Sequence, residues 1–465
     1  MNRSRISRFY IALFLLLPMG GLTGCKVTME KVEKWKKNSD TARLKKCLAD
    51  KKQKKKVRVA AGLALFELGR YYGVEVMLER VKKRSKKEAQ GLAIAMMNNL
   101  LPKLKGTDEA AVRAKDGLFS LWASVDEANQ TKLQTTIITW LLENWDSVSH
   151  AGEHSAKKIF EKLGTKAGKV LAEKLTLSHN KLYELATHVG EIAAPEDKEK
   201  LVKRFVTKLD KNPQLLARAD RLYSIGKICS KTSLLFLQRK AVKAFNFSIR
   251  RNALIGLRLC PHPSSIQPAI ATLKELQSKA LKNETVALPK FKDKKPGVIH
   301  QAFEVLDVIK DWKKTQPGLT ELLTMTGVVP LDKKNKRRKL LIRTKAGQYF
   351  VFLGKVPGLK VLLQKLPDDE WPGGYILALR KAVLQQFSKK GREEALKVLR
   401  EAAKGTNWVG KAVAIESLGH LGDKKKDAAI LEKAKEDKTP LKGWGTEGVT
   451  IGERAAIALK RLRSR

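Results

Sequence analysis

Apolar residues recur along the chain at helical rather than strand spacing. In VRVAAGLALFELGRYYGVEVMLERV, Val57, Ala60, Ala61, Ala64, Leu65 and Leu68 fall at i, i+3, i+4, i+7, i+8 and i+11. That pattern lines one face of an amphipathic helix. Gly69 supplies a stop, and Val74, Met77, Leu78 and Val81 restart the spacing, so the stretch predicts a helical hairpin. Helices of this length do not bury such a face alone, and the hairpin needs neighbours of its own kind.

The neighbours share a pattern of Ala, a small residue, Leu and Leu. It occurs at Ala61, Ala64, Leu65, Leu68, at Ala114, Gly117, Leu118, Leu121, at Ala414, Ser417, Leu418, Leu421, and at Ala455, Ala458, Leu459, Leu462. Ala253, Gly256, Leu257 and Cys260 match with Cys in the last place. This resembles the HEAT-type repeats of bacterial HEAT-repeat proteins, roughly from Val57 to Leu462. The resemblance implies an all-α fold, a HEAT-like α-solenoid of stacked antiparallel helix hairpins, and no activity.

Further helices are predicted from Glu88 to Leu281, with Asp108, Asp126 and Ser155 as N-caps. Single helices are expected over Gln214 to Cys229 and over Val298 to Trp312. No stretch alternates with period two in a way that requires a sheet. Between Lys336 and Lys355, Leu340, Ile342, Phe350 and Phe352 permit two short strands or one helix; the helix is favoured because an isolated hairpin is marginal. The Pro- and Lys-containing 283–297 segment reads as a linker loop between an N-terminal array, 57–282, and a C-terminal array, 298–465.

The N-terminus has a different character. Arg3, Arg5 and Arg8 precede an apolar run from Phe9 to Leu17, too short for a bilayer span of about 20 residues but suited to a secretory signal. Leu22, Thr23, Gly24 and Cys25 resemble the lipobox of a bacterial lipoprotein. The resemblance implies a signal peptide over 1–24, cleavage before Cys25 and a diacylglycerol on its sulfur. Lys26 instead of Asp leans toward the outer membrane in the enterobacterial sorting pattern. Residues 25–56 then form an anchor and capping segment, with Met29, Val32 and Trp35 on one helical stripe and Leu44 and Leu48 on another.

Charge changes the picture most. The formal net charge is +47, and loss of the three leader arginines leaves +44. Such an excess attracts anionic partners and is weakened by salt. It concentrates in two runs: Lys51, Lys52, Lys54, Lys55 and Lys56, then Lys82, Lys83, Arg84, Lys86 and Lys87. Equivalent turns of a stacked array lie along one edge, so the runs predict a continuous basic rim. Lys294 and Lys295, Lys333 to Lys339, Lys389 to Arg392 and Lys424 to Lys426 are expected in turns as well. Lys26, Lys31, Lys34, Lys36 and Lys37 lie next to the expected anchor, where a basic residue gains about 1 kcal/mol against an anionic leaflet.

Catalytic signals are absent from the pattern. His150 and His154 have a helical i, i+4 spacing, but neither HExxH nor a Cys pair completes a metal site. Asp368, Asp369 and Glu370 read as a turn preceding a helix, and GWGTEG at 443–448 lacks the Lys-Ser/Thr of a phosphate loop. No nucleophile elbow or dinucleotide fingerprint occurs. No cofactor or metal is expected. Cys47, Cys229 and Cys260 read as buried small apolar residues, because adjacent packed helices lie about 8 to 10 Å apart, which is unfavourable for a disulfide needing Cα atoms within about 7 Å; a Cys229–Cys260 bridge is the alternative.

These features favour a non-enzymatic, lipid-anchored scaffold of the cell envelope whose basic surface holds an acidic protein or an anionic lipid or glycolipid. Non-specific nucleic-acid binding is the second reading, and a HEAT-like lyase or glycosylase the third.

Overall fold

Each long apolar periodicity folds as a helix, and among the described residues the chain is all-α. The computed structural model describes residues 27–244, 246–281, 297–324, 333–368, 370–444 and 449–465. The leader, Cys25 and Lys26 lie outside these residues, as do Lys294 and Lys295. The helices in chain order are α1 (Met29–Lys37), α2 (Thr41–Ala49), α3 (Lys55–Glu67), α4 (Tyr71–Arg84), α5 (Lys86–Leu100), α6 (Glu109–Leu121), α7 (Glu127–Glu143), α8 (Trp145–Val148), α9 (Ala156–Leu163) and α10 (Thr165–Lys174). They continue with α11 (Leu182–Ile192), α12 (Pro195–Lys211), α13 (Pro213–Ala217), α14 (Ala219–Ile228), α15 (Lys231–Lys243), α16 (Phe247–Leu259), α17 (Ile266–Leu281), α18 (Val298–Ile309) and α19 (Trp312–Thr324). Last come α20 (Lys333–Lys365), α21 (Gly373–Phe387), α22 (Arg392–Lys404), α23 (Trp408–Leu421), α24 (Lys424–Ala434) and α25 (Ile451–Ser464).

The chain packs as two units, up to Val170 and from Leu171. In the first, α1, α3 and α5 form one row and α2, α4 and α6 the other, each helix packing on its sequence neighbour and on the next but one. The capping hairpin expected before Val57 is α1 and α2, with Val32, Leu44 and Leu48 buried and Trp35 half-buried. In the second unit, α11, α14, α16 and α18 run along one row, and α20, which packs on both α18 and α21, links it to α21, α23 and α25. The other row holds α12, α15, α17 and α19, then α22 and α24. The shared small-residue pattern lies in the core: Ala61, Leu65, Leu118, Ala253, Leu257, Leu418 and Ala455 are fully buried.

The expected linker loop lies outside the described residues up to residue 296; on either side of it α16 packs on α18, and α17 on both α18 and α19, within one unit. Residues 336–355 are helical, but α20 breaks at Lys355, whose φ is +51°. The basic run at Lys333 to Lys339 and the one at Lys424 to Lys426 therefore belong to helices α20 and α24 rather than to turns. Two predicted helices are also divided. Extended backbone at Arg218 separates α13 from α14, and left-handed Lys310 ends α18 so that α19 starts at Trp312. The caps Asp108, Asp126 and Ser155 each accept a backbone N–H as expected.

The thiol expectation fails at two positions. Gly226 and Gly256 face each other so closely that a Cβ on Gly226 would lie 2.4 Å from the Gly256 carbonyl oxygen. Without side chains at the crossing, α14 and α16 approach beyond the usual spacing. Cys229 and Cys260 then sit with Cα atoms 5.2 Å apart and form a disulfide. Cys229 is exposed at the left-handed end of α14, not buried. Cys47 is buried as expected, and burial pushes its thiol up to about 11.

A second pattern concerns arginine. The last four carbonyls of a helix have no partner within it, and a cation there also complements the helix dipole. Arg58 Nε donates to Leu48 O at 2.8 Å, Arg113 Nη1 to Glu67 O at 2.6 Å, and Arg392 Nε to Leu421 O at 2.9 Å. Arg204 Nη2 donates to Ala172 O and Leu175 O, each at 2.9 Å. Part of the positive excess thus serves to tie one helix end to a neighbouring helix.

Candidate anion-binding surface

The two lysine runs occupy the α2–α3 and α4–α5 connections with the adjoining helix ends. Both connections pass from the same row to the same row, so stacking places them side by side. Direct contacts fix this: Arg84, at the end of α4, donates from Nη2 to Ala49 O at the end of α2 at 2.5 Å. A Cβ on Gly91 of α5 would lie 3.4 Å from Lys55 Nζ of α3. Beneath the rim, buried Arg58 reaches Leu48 O and pairs with Glu88, which anchors α3 to α2 and α5.

All ten predicted residues, Lys51, Lys52, Lys54, Lys55, Lys56, Lys82, Lys83, Arg84, Lys86 and Lys87, are exposed. Among them Lys82 pairs with Glu79 at 2.9 Å, and Arg84 is engaged by the carbonyl already described. The nearby carboxylates are turned to other work. Asp50 accepts the Lys52 backbone N–H at 2.9 Å and the Gln53 side chain at 3.1 Å, which holds it below the usual carboxylate range. Glu88 serves Arg58. The rim therefore presents several lysines without an acidic partner among the described residues. Such a surface attracts anions over a Debye length of roughly 10 Å and imposes no fixed geometry on them.

The next connection limits it. A cleft of about 460 Å³ follows, with Lys82, Lys86 and Lys166 on its wall but Asp126 and Glu127 as well. The continuous basic edge thus spans two turns.

The remaining predicted chemistry resolves into structure. His150 is exposed, and His154 lies in a non-helical segment, so their i, i+4 spacing has no geometric meaning. Asp116 accepts the backbone N–H of Glu153 at 2.7 Å and of His154 at 3.1 Å, while Lys115 Nζ donates to Ala151 O at 2.7 Å and His154 O at 2.5 Å. Lys115 and Asp116 are themselves paired at 2.9 Å and fully buried, so they clamp this loop onto α6. Burial is the largest influence on Lys115 and on His154 and lowers both, against the opposing charge of Asp116. Sequence spacing missed this clamp because Lys115 and Asp116 look like ordinary solvated helix charges. Asp368 accepts from Trp408 Nε1 and from Lys442 Nζ, as a structural turn does; Asp369 and 445–448 lie outside the described residues. No cluster of three or more metal-ligating side chains occurs among the described residues. No described helix is long and apolar enough to cross a membrane.

Comparison with known proteins finds no matching protein family and no matching curated protein. Among solved structures, the chain is similar to the crystal structure of SYS-1 at 2.6 Å resolution, with 10% sequence identity, a TM-score of 0.33 and 92% of each chain covered. A likeness that distant carries no argument about this chain.

Proposed function

We propose that the chain is a non-enzymatic binding scaffold of the bacterial cell envelope, anchored through lipid on Cys25 and holding an anionic surface with its lysine rim. The observation that carries the reading is the adjacency of the two runs, through Arg84 on Ala49 and Lys55 against Gly91, with lysines exposed along both. Many weak charge contacts on one edge give avidity without a pocket. A lipid chain and a polybasic patch together supply the two signals that stable membrane attachment requires. The Cys229–Cys260 disulfide supports an oxidising compartment, where such bonds persist.

Anionic head groups are the nearest partner for a rim that begins about 25 residues after the anchor. An acidic envelope protein would use the same charges. The test is the mass of the N-terminal peptide from the membrane fraction, for the natural chain and for Cys25→Ser. An acylated peptide beginning at Cys25, lost in the variant, is expected. A soluble chain beginning at Met1 would overturn the envelope address and make nucleic acid the leading partner of the same rim.

A further inference from the structure

In the second unit, α21, α23 and α25 gather three arginines around one carboxylate. Glu416 of α23 is fully buried. Arg380 of α21 donates from Nη1 to Glu416 Oε2 at 3.2 Å. From α25, Arg454 donates from Nε to Oε1 at 2.7 Å and Arg461 from Nη1 to Oε2 at 3.5 Å. Solvent still reaches these arginines: their side chains are 21%, 17% and 31% exposed.

The stoichiometry exceeds what a structural pair needs. One guanidinium neutralises one carboxylate, and each further half-buried cation adds desolvation cost. Three against one leave two positive charges unmatched. Two polar atoms here, Arg380 Nε and His420 Nε2, are buried without a hydrogen-bond partner, although such groups are satisfied in the great majority of cases. His420 lies one turn beyond Glu416 on α23. Burial, then the Arg461 and Arg380 charges, hold its imidazole below the usual value, so it is neutral near pH 7. The Arg454 guanidinium is also stacked on Trp444, 4.8 Å from the ring centroid.

We infer that this arginine fan is a binding site for a phosphate dianion, free or as a terminal monoester. Two unmatched charges suit a dianion, whereas a phosphodiester or a single carboxylate would compensate half of them. Planar guanidinium forks match phosphate oxygens, and Glu416 already holds all three side chains in place while Trp444 stacks on that of Arg454, so little rotamer freedom remains to be lost on binding. The site shares no residue with the lysine rim and stands whether or not the envelope reading holds.

Calorimetric titration of the full chain at constant ionic strength tests it, with inorganic phosphate, glycerol 3-phosphate and dimethyl phosphate as probes. The first two should bind saturably and dimethyl phosphate at least tenfold more weakly. A tighter glycerol 3-phosphate marks an esterified ligand, a tighter inorganic phosphate the free ion, and either keeps the site. The Arg380→Gln/Arg461→Gln variant should lose at least tenfold in affinity, while K52Q/K54Q/K55Q/K86Q/K87Q should bind as the natural chain does. Should the double variant fail to fold, Arg461→Lys keeps the charge, removes the fork and should weaken binding at least threefold. No saturable binding, equal binding by dimethyl phosphate, or unchanged affinity in a folded fan variant would overturn the inference.

Discussion

The lysine rim of the first unit and the arginine fan of the second use the same sign of charge in opposite ways. Rim ammoniums end flexible stems in solvent; Glu79 pairs with Lys82, while the neighbouring Asp50 and Glu88 are engaged by backbone and by Arg58. The fan is held from both sides: Glu416 fixes the guanidiniums beneath, and Trp444 covers one of them. A rim of that kind senses charge density. A fan senses the shape and valence of one group. Net charge alone does not distinguish them, and the helix-end arginines add a third use that concerns no partner at all.

The comparison breaks most sharply at Glu416. Glu416→Gln leaves three half-buried guanidiniums without their counter-charge, and a stability loss of about 3 kcal/mol is expected in denaturant unfolding. Arg58→Gln, which strips the helix-end contact and the Glu88 pair under the rim, is expected to cost about 2 kcal/mol by the same measurement. The fivefold rim variant K52Q/K54Q/K55Q/K86Q/K87Q should stay within about 0.5 kcal/mol of the natural stability. In sedimentation with anionic vesicles, it should lose up to about 1 kcal/mol of binding for each lysine removed, with a shallower salt dependence. A rim variant that unfolds would show that these lysines are structural and erase the contrast.

The smallest expected effect is one of pH. Burial lowers His154, so between its folded value and the ordinary 6.5 the unfolded chain binds more protons than the folded one. Stability should therefore fall as pH drops through 6.5 and be unaffected by this residue above it. His154→Gln should flatten that part of the curve by less than about 1 kcal/mol; an unchanged slope would assign the acid sensitivity elsewhere.

Helix spacing was legible because each apolar stripe is local: the hairpin read from Val57 to Val81 appears as α3 and α4, with the break at Gly69 between them. The rim was legible for a similar reason, since charge runs in connections need only the stacking rule to bring them together. The fan was not. Arg380, Glu416 and Arg454 lie on three helices, and 36 and 38 residues separate the contacting pairs. Each residue alone resembles a solvated helix charge. The disulfide was misread because the usual interhelical distance was applied where two glycines remove the side chains that set it.

Tension on the chain gives that disulfide a different meaning. It closes a 31-residue separation between α14 and α16. If the N-terminus is held at a membrane while a partner pulls on the other end, those residues cannot be drawn out. At about 3.4 Å per extended residue, roughly 100 Å of slack is withheld. Reduction would release that length, so a stretched chain would extend in two stages with a thiol reagent and in one without.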